Sequence, residues 1–236
     1  MVNVLQNYQL PQVVTAIGGL GTAAFGLLEA IKPVIPWINH IGFGRIRRTV
    51  VILTPGESGA KPAMNALPQK KILQSLLANW VNGTDLASQK AIAKSLVKLH
   101  LTPYNASTLA ASTNVDPVLL TQVATAMIAG APPLTQPQSD ALARFDLIVT
   151  AMLDEIYQHA DQVYRNWTRG LAALLAVALA FVGGLSLVGC WHAYWGKPEM
   201  YTALLVGALA TPLAPIAKDL STALATAVNT LQLVKK

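Results

Sequence analysis

The residues able to do chemistry are few and scattered. The chain of 236 residues has four histidines and one cysteine. His40 and His192 stand beside apolar stretches, His100 closes a helical pattern, and His159 fills a place in an apolar heptad. These positions set out no Ser-His-Asp or Cys-His arrangement, no zinc spacing and no glycine loop that cradles phosphate. The chain therefore reads as a non-enzyme, with no catalytic residue, no metal-ligand set and no cofactor. His159 reads as a helix-surface histidine, or as a pH sensor if buried. Cys190, alone, excludes an internal disulfide framework and reads as a small apolar filler.

Charges fall into two groups with informative spacing. Glu29, Lys32, Arg169, Lys218 and Asp219 stand at the ends of apolar stretches. They read as anchors whose long stems lie along apolar surface, or as an inter-helix ion pair of Glu29 with Lys218 or Arg169 that fixes a bundle. Lys90, Lys94 and Lys98 recur one turn apart on a single helix face. A solvated face is the first reading, and contact with nucleic acid or anionic lipid the second. Between Arg45 and Arg165, eleven basic residues stand against eight acidic ones. That mild excess comes without aromatic–basic interleaving, which makes nucleic acid an improbable partner.

The elements that must position these residues are helices, so the fold class is all-α. Hydrophobic residues make up 53% of the chain and charged ones only 12%, against about 25% charged in ordinary soluble domains. So little charge could not wet a soluble surface of this size, which points to lipid. Three apolar stretches match the thickness of a bilayer: Leu10 to Leu28, Leu171 to Trp191 and Tyr201 to Ala217. Basic residues follow the first (Lys32, Arg45, Arg47, Arg48), precede the second (Arg165, Arg169) and follow the third (Lys218, Lys235, Lys236). By the positive-inside rule the N-terminus is outside, while residues 45–165 and the C-terminus are cytoplasmic. No basic residue precedes the first stretch, which argues against a cleaved signal. Trp37, Phe43, Trp167, Trp191 and Trp195 fall near the expected interfaces. The sequons at Asn82, Asn105 and Asn166 then face the cytoplasm and carry no glycan.

Between the first two spans the pattern is helical. Residues 54–68 read as a Gly/Pro/Ala loop, followed by helices near 69–81 and 85–99, a short one from Asn105, and one opened by Asp116-Pro117 and closed by Gly130. From Thr135 or Gln136 a single helix runs to Trp191, about 80 Å at 1.5 Å per residue. Leu142, Phe145, Val149, Met152, Ile156 and Val163 form a heptad seam along it. The seam packs against the domain's own helices or pairs between subunits as a coiled-coil stalk. The organisation expected is a first span and interfacial segment (1–44), a cytoplasmic helical domain (45–134), the long helix continuing into the second span (135–191), and a third span with an amphipathic tail (192–236). The tail places Leu220, Leu224, Ala227, Leu231 and Val234 on one face, as an interfacial helix or a contact between subunits.

Helices in lipid associate through small residues that let backbones approach. Each span offers such a stripe: Gly18, Thr22 and Gly26; Ala176, Ala180 and Gly184, with Ala172 ahead of them; and Gly207 and Thr211, with Ala203 ahead of them. Pro212 and Pro215 mark an expected break in the third span. The order of a first span, a basic turn GRIRR, a helical insert, an Arg144-Phe145-Asp146 helix running through Tyr164-Arg165, and a third span from Leu209 to Leu224 resembles a group of uncharacterised bacterial inner-membrane proteins. The resemblance implies a bacterial inner (plasma) membrane and no activity. The reading is an oligomeric membrane protein, pore-forming or scaffolding, whose cytoplasmic domain senses or binds a partner. The alternatives are a non-conducting adaptor and an accessory subunit of a larger complex. Partners expected are the lipid bilayer, further copies of the chain and a cytoplasmic protein.

Overall fold

Capping chemistry sets the helix boundaries in the middle of the chain. A computed structural model describes residues 10–55, 68–130 and 133–215, and all regular structure in them is helical. The elements are α1 (Leu10–Ile31), α2 (Pro36–Asn39), α3 (Phe43–Leu53), α4 (Gln69–Val81), α5 (Leu86–His100), α6 (Ala106–Thr113), α7 (Pro117–Ala129), α8 (Gln136–Val188) and α9 (Trp191–Tyr194). A further helix, α10, is described over 198–215. Asp85 starts α5 by accepting the Ser88 N–H at 2.9 Å. Asp116 starts α7 by accepting the N–H groups of Val118 and Leu119, with Pro117 in the first turn. These carboxylates satisfy donors that a helix start otherwise leaves orphaned. Gly130 closes α7 in the left-handed conformation, φ 60°.

The chain divides into two units: Trp37–Tyr164, and the segments on either side of it. The domain expected at 45–134 thus begins earlier and takes in the first half of α8. The expected GRIRR turn is the opening of α3, whose amphipathic pattern buries Phe43, Ile46, Val50 and Leu53 and exposes Arg45, Arg47 and Arg48. Phe43 is therefore a core residue and not an interfacial one. Trp37, Trp167, Trp191 and Trp195 are all at least half exposed. Gly42, at φ 88°, precedes α3, and a Cβ there would lie 2.5 Å from the Ala160 carbonyl oxygen. Only glycine combines that dihedral with that clearance.

The domain core gathers one face each of α3, α4, α5, α6 and α7 around the first half of α8. On α8 the fully buried positions are Ala141, Phe145, Val149, Leu153, Tyr157 and Ala160. They step by four, then three, whereas the expected seam alternated three and four. The row steps wider than the 3.5-residue repeat of a supercoil. Leu142, Met152 and Ile156 flank the row and complete its packing. The domain's own helices cover this face. His159 lies on the exposed side, its Nε2 3.2 Å from Nη1 of Arg45. Asn105 is buried and ties the α5–α6 turn, donating to the His100 carbonyl at 2.6 Å and accepting the Thr102 N–H at 2.8 Å.

Two helices among the described residues are long and apolar enough to cross a membrane: Val13–Ile31, with mean hydropathy 1.6, and Gln136–Val188, with an apolar window of 2.5. α10 is not one of them. Pro212 does not break it; the helix continues to Pro215, its last described residue. A proline φ fits a helix, but Pro212 leaves one carbonyl without its N–H partner and crowds the preceding turn. Cys190 is exposed in the turn between α8 and α9, and so does not fill a core. The expected tail helix, Lys218 and Asp219 lie outside the described residues.

Phe145→Ala is expected to destabilise the domain by about 3–5 kcal/mol, the cost of emptying a fully buried aromatic site, read as chemical denaturation of full-length protein in detergent. A seam that paired between subunits would instead lower assembly mass and leave unfolding unchanged.

Candidate functional site

The apolar unit is held by contacts in which side chains are too small to separate backbones. Ala24 of α1, Ala176 of α8 and Ala210 of α10 form one fully buried cluster, with Ile17, Leu20, Leu175 and Leu179 packed round it. A Cβ on Gly21 would run into the Ala210 carbonyl. One on Gly207 would stand 2.5 Å from Cα of Val177. At both places two helices meet backbone to backbone, the geometry that replaces the hydrophobic effect where the solvent is itself apolar.

Of the residues expected on these stripes, Gly18, Ala176 and Gly207 are buried in the unit, and Ala180, Gly184 and Thr211 are half-buried. Thr22 and Gly26 face outward, and nothing lies within 4 Å of a Cβ placed on Gly26. Thr22 returns its hydroxyl to the Gly18 carbonyl at 3.0 Å. The face of α1 that packs is instead Gly21, Ala24 and Leu28. Several small residues crowd α1, so spacing alone fits more than one face. Choosing among them requires knowing where Ala210 lies. Gly184 admits the ring of Tyr194, since a Cβ there would stand 2.5 Å from the phenolic oxygen. Tyr194 also meets Phe181 edge-on, with Trp191 stacked on Trp195 nearby. The hydroxyl of Thr211 is enclosed without a partner among the described residues.

Glu29 pairs with Lys32 one turn on, and among the described residues not with Arg169, which is exposed.

The lysine row of the domain is neither a bare solvated face nor a free basic strip. Lys90 reaches Asp154 at 2.5 Å, Lys94 reaches Asp146 at 2.6 Å, and Lys98 reaches the same Asp146. The row on α5 therefore clamps α8, with one carboxylate held between two ammonium groups. Partial burial pushes the Asp146 carboxyl up, but hydrogen bonds and charge from Lys94 and Lys98 outweigh it and hold the group below its ordinary value. The aspartates lie some fifty residues further along the chain, so sequence spacing could not reveal the pairing. Among the described residues no group of three His, Cys, Asp or Glu side chains is placed to hold a metal ion.

No family model, no curated protein and no solved structure matches this chain.

Two outcomes follow from this geometry. Gly207→Val is expected to cost about 1–3 kcal/mol by forcing the α8–α10 contact apart, whereas Gly183→Ala, on an open face of α8, leaves the thermal midpoint in detergent unchanged; equal effects would refute the backbone contact. A carboxyl depressed on folding adds stability above its unfolded pKa and loses it as pH falls through the folded one. Asp146→Asn should therefore lower stability at pH 7 by about 0.5–1 kcal/mol, and the gap to wild type should close once the medium is acid enough to protonate carboxylates.

Proposed function

We propose that the chain is an oligomeric integral membrane protein that scaffolds: the small-residue helix unit sits in the bilayer, and the helical domain outside it senses or binds a partner. One observation carries this reading. Only 22% and 11% of the two apolar windows are buried within the chain. The core helix of a soluble protein hides such a surface, and here lipid is the solvent that covers it. α1 also supplies Ala24 to the buried cluster with α8 and α10, which favours a retained span over a signal that is removed.

On this reading α10 returns through the bilayer as a third span, and the basic flanks place residues 45–165 and the C-terminus in the cytoplasm of a bacterial inner membrane. The outward face of α1, with Gly19, Ala23 and Gly26 exposed, suits close approach by a second copy. Ala, Ile and Leu fill the seam between α1, α8 and α10, which favours a scaffold over a water-filled path inside one subunit.

The test has three parts. Membranes washed at alkaline pH should retain the full-length chain. A thiol probe that cannot cross membranes should label Ser95→Cys, in a Cys190→Ala background, only after lysis. Detergent-extracted protein should have a mass several times 25.0 kDa, reduced by Gly26→Leu. Solubility without detergent, or labelling in intact cells, would end the membrane reading or its orientation respectively. A single-chain mass would leave a monomeric adaptor.

A further inference from the structure

A groove of about 510 Å³ lies between α3 and α4, within the helical domain. Its walls sort by chemistry. Phe43, Leu73 and Leu77 supply an apolar floor, while His40, Arg47 and Lys70 stand on the rim. Two glutamines complete the lining, and among the described residues no Asp or Glu contributes to it. Elsewhere in the domain lysines meet carboxylates: the Lys90, Lys94 and Lys98 row is matched by Asp146 and Asp154. Arg47 and Lys70 face this groove without such a match in its walls.

Gln69 and Lys70, the first residues of α4, both line the groove. α4 begins at Gln69 behind Pro68, whose side chain gives no capping hydrogen bond. The first N–H groups of a helix carry partial positive charge and seek acceptors. Where α5 and α7 bring an aspartate to that position, the described residues bring none to α4, and Lys70 stands in its first turn. A carboxylate-free rim, an uncapped helix start and an apolar floor together fit an anion joined to a hydrocarbon body. A simple inorganic anion would not use the floor, and an apolar ligand would not use the rim.

From these features we propose that the α3–α4 groove binds the headgroup of an anionic phospholipid, the phosphate between Arg47 and Lys70 and the first acyl carbons over Phe43, Leu73 and Leu77. The site rests on the membrane reading above. His40, Phe43 and Arg47 follow closely in the chain on the end of the apolar α1, and the exposed Trp37 of α2 lies between. Aromatic rings of that kind settle at the headgroup level. A basic side chain close to an anionic surface is attracted strongly enough to matter singly, and guanidinium is shaped to grip phosphate. An acidic peptide is the rival occupant; it matches the rim but has no use for the floor.

The experiment uses full-length protein in neutral detergent, with phosphatidylglycerol or phosphatidylcholine added to the micelles and retained lipid counted by native mass spectrometry. Wild type should retain phosphatidylglycerol well above phosphatidylcholine. Arg47→Gln/Lys70→Gln should weaken that retention roughly 30-fold, the worth of two basic groups near an anionic surface. Lys90→Gln, which removes a lysine already paired with Asp154, should not. Both altered side chains are exposed, and unchanged helical circular dichroism would show that the double variant is folded. A Leu73→Asn variant separates the occupants further, weakening lipid retention while leaving the rim intact. Equal retention of the two lipids by wild type, equal retention by the double variant, or stronger competition from a polyglutamate peptide than from soluble short-chain phosphatidylglycerol would each overturn the site. None of those results touches the alkaline-wash test, so the groove can fail while the membrane reading stands; solubility without detergent would remove both.

Discussion

Backbone hydrogen bonding that closes on itself is what the structure depends on most. α8 runs from Gln136 to Val188 with no interruption, satisfying its own donors and acceptors wherever it lies. Its sequence therefore has only to change the side chains to change the surroundings. Up to Tyr164 the helix offers the domain Phe145, Val149, Leu153 and Tyr157, with Asp146 and Asp154 beside them for the lysines of α5. Beyond Arg169 it carries no charge and packs through alanine. On the membrane reading a strand or loop could not make that passage, because its polar backbone would have to find partners outside itself.

What was legible in the sequence was what local chemistry decides. Asp85, Asp116 with Pro117, and Gly130 mark their helix ends because each acts on backbone groups within a few residues of itself. The unbroken run after Gln136 was legible for the same reason, since nothing in it can stop a helix. α3 was not, because the basic residues of GRIRR suggested a turn at an interface. Its apolar partners Ile46, Val50 and Leu53 show a helix only once they are seen to share a face. The seam on α8 was found but placed slightly out of phase. Apolar residues are broad enough there to fit either period, and only the surrounding helices choose.

Long-range matters stayed out of reach. The lysine row was visible as a pattern, but its partners Asp146 and Asp154 lie on another helix. The small residues of the apolar unit were identified as a class, and Gly18, Ala176 and Gly207 are buried in it. The same reasoning chose Thr22 and Gly26 over Gly21 and Ala24, since every face of α1 is rich in small residues. Glu29 meets Lys32 one turn away, while Lys218, its other expected partner, lies outside the described residues.

The cluster of Ala24, Ala176 and Ala210 joins residues that lie on either side of the helical domain in the chain. During synthesis α1 emerges first, yet the segments it packs against appear only after the entire helical domain has left the ribosome. On the membrane reading α1 must wait in the bilayer alone, a solitary helix surviving on apolar composition and internal hydrogen bonds. Its late partners then find it by lateral diffusion, with the domain already folding behind it. On that reading α10, made after the domain, completes the fit of α1.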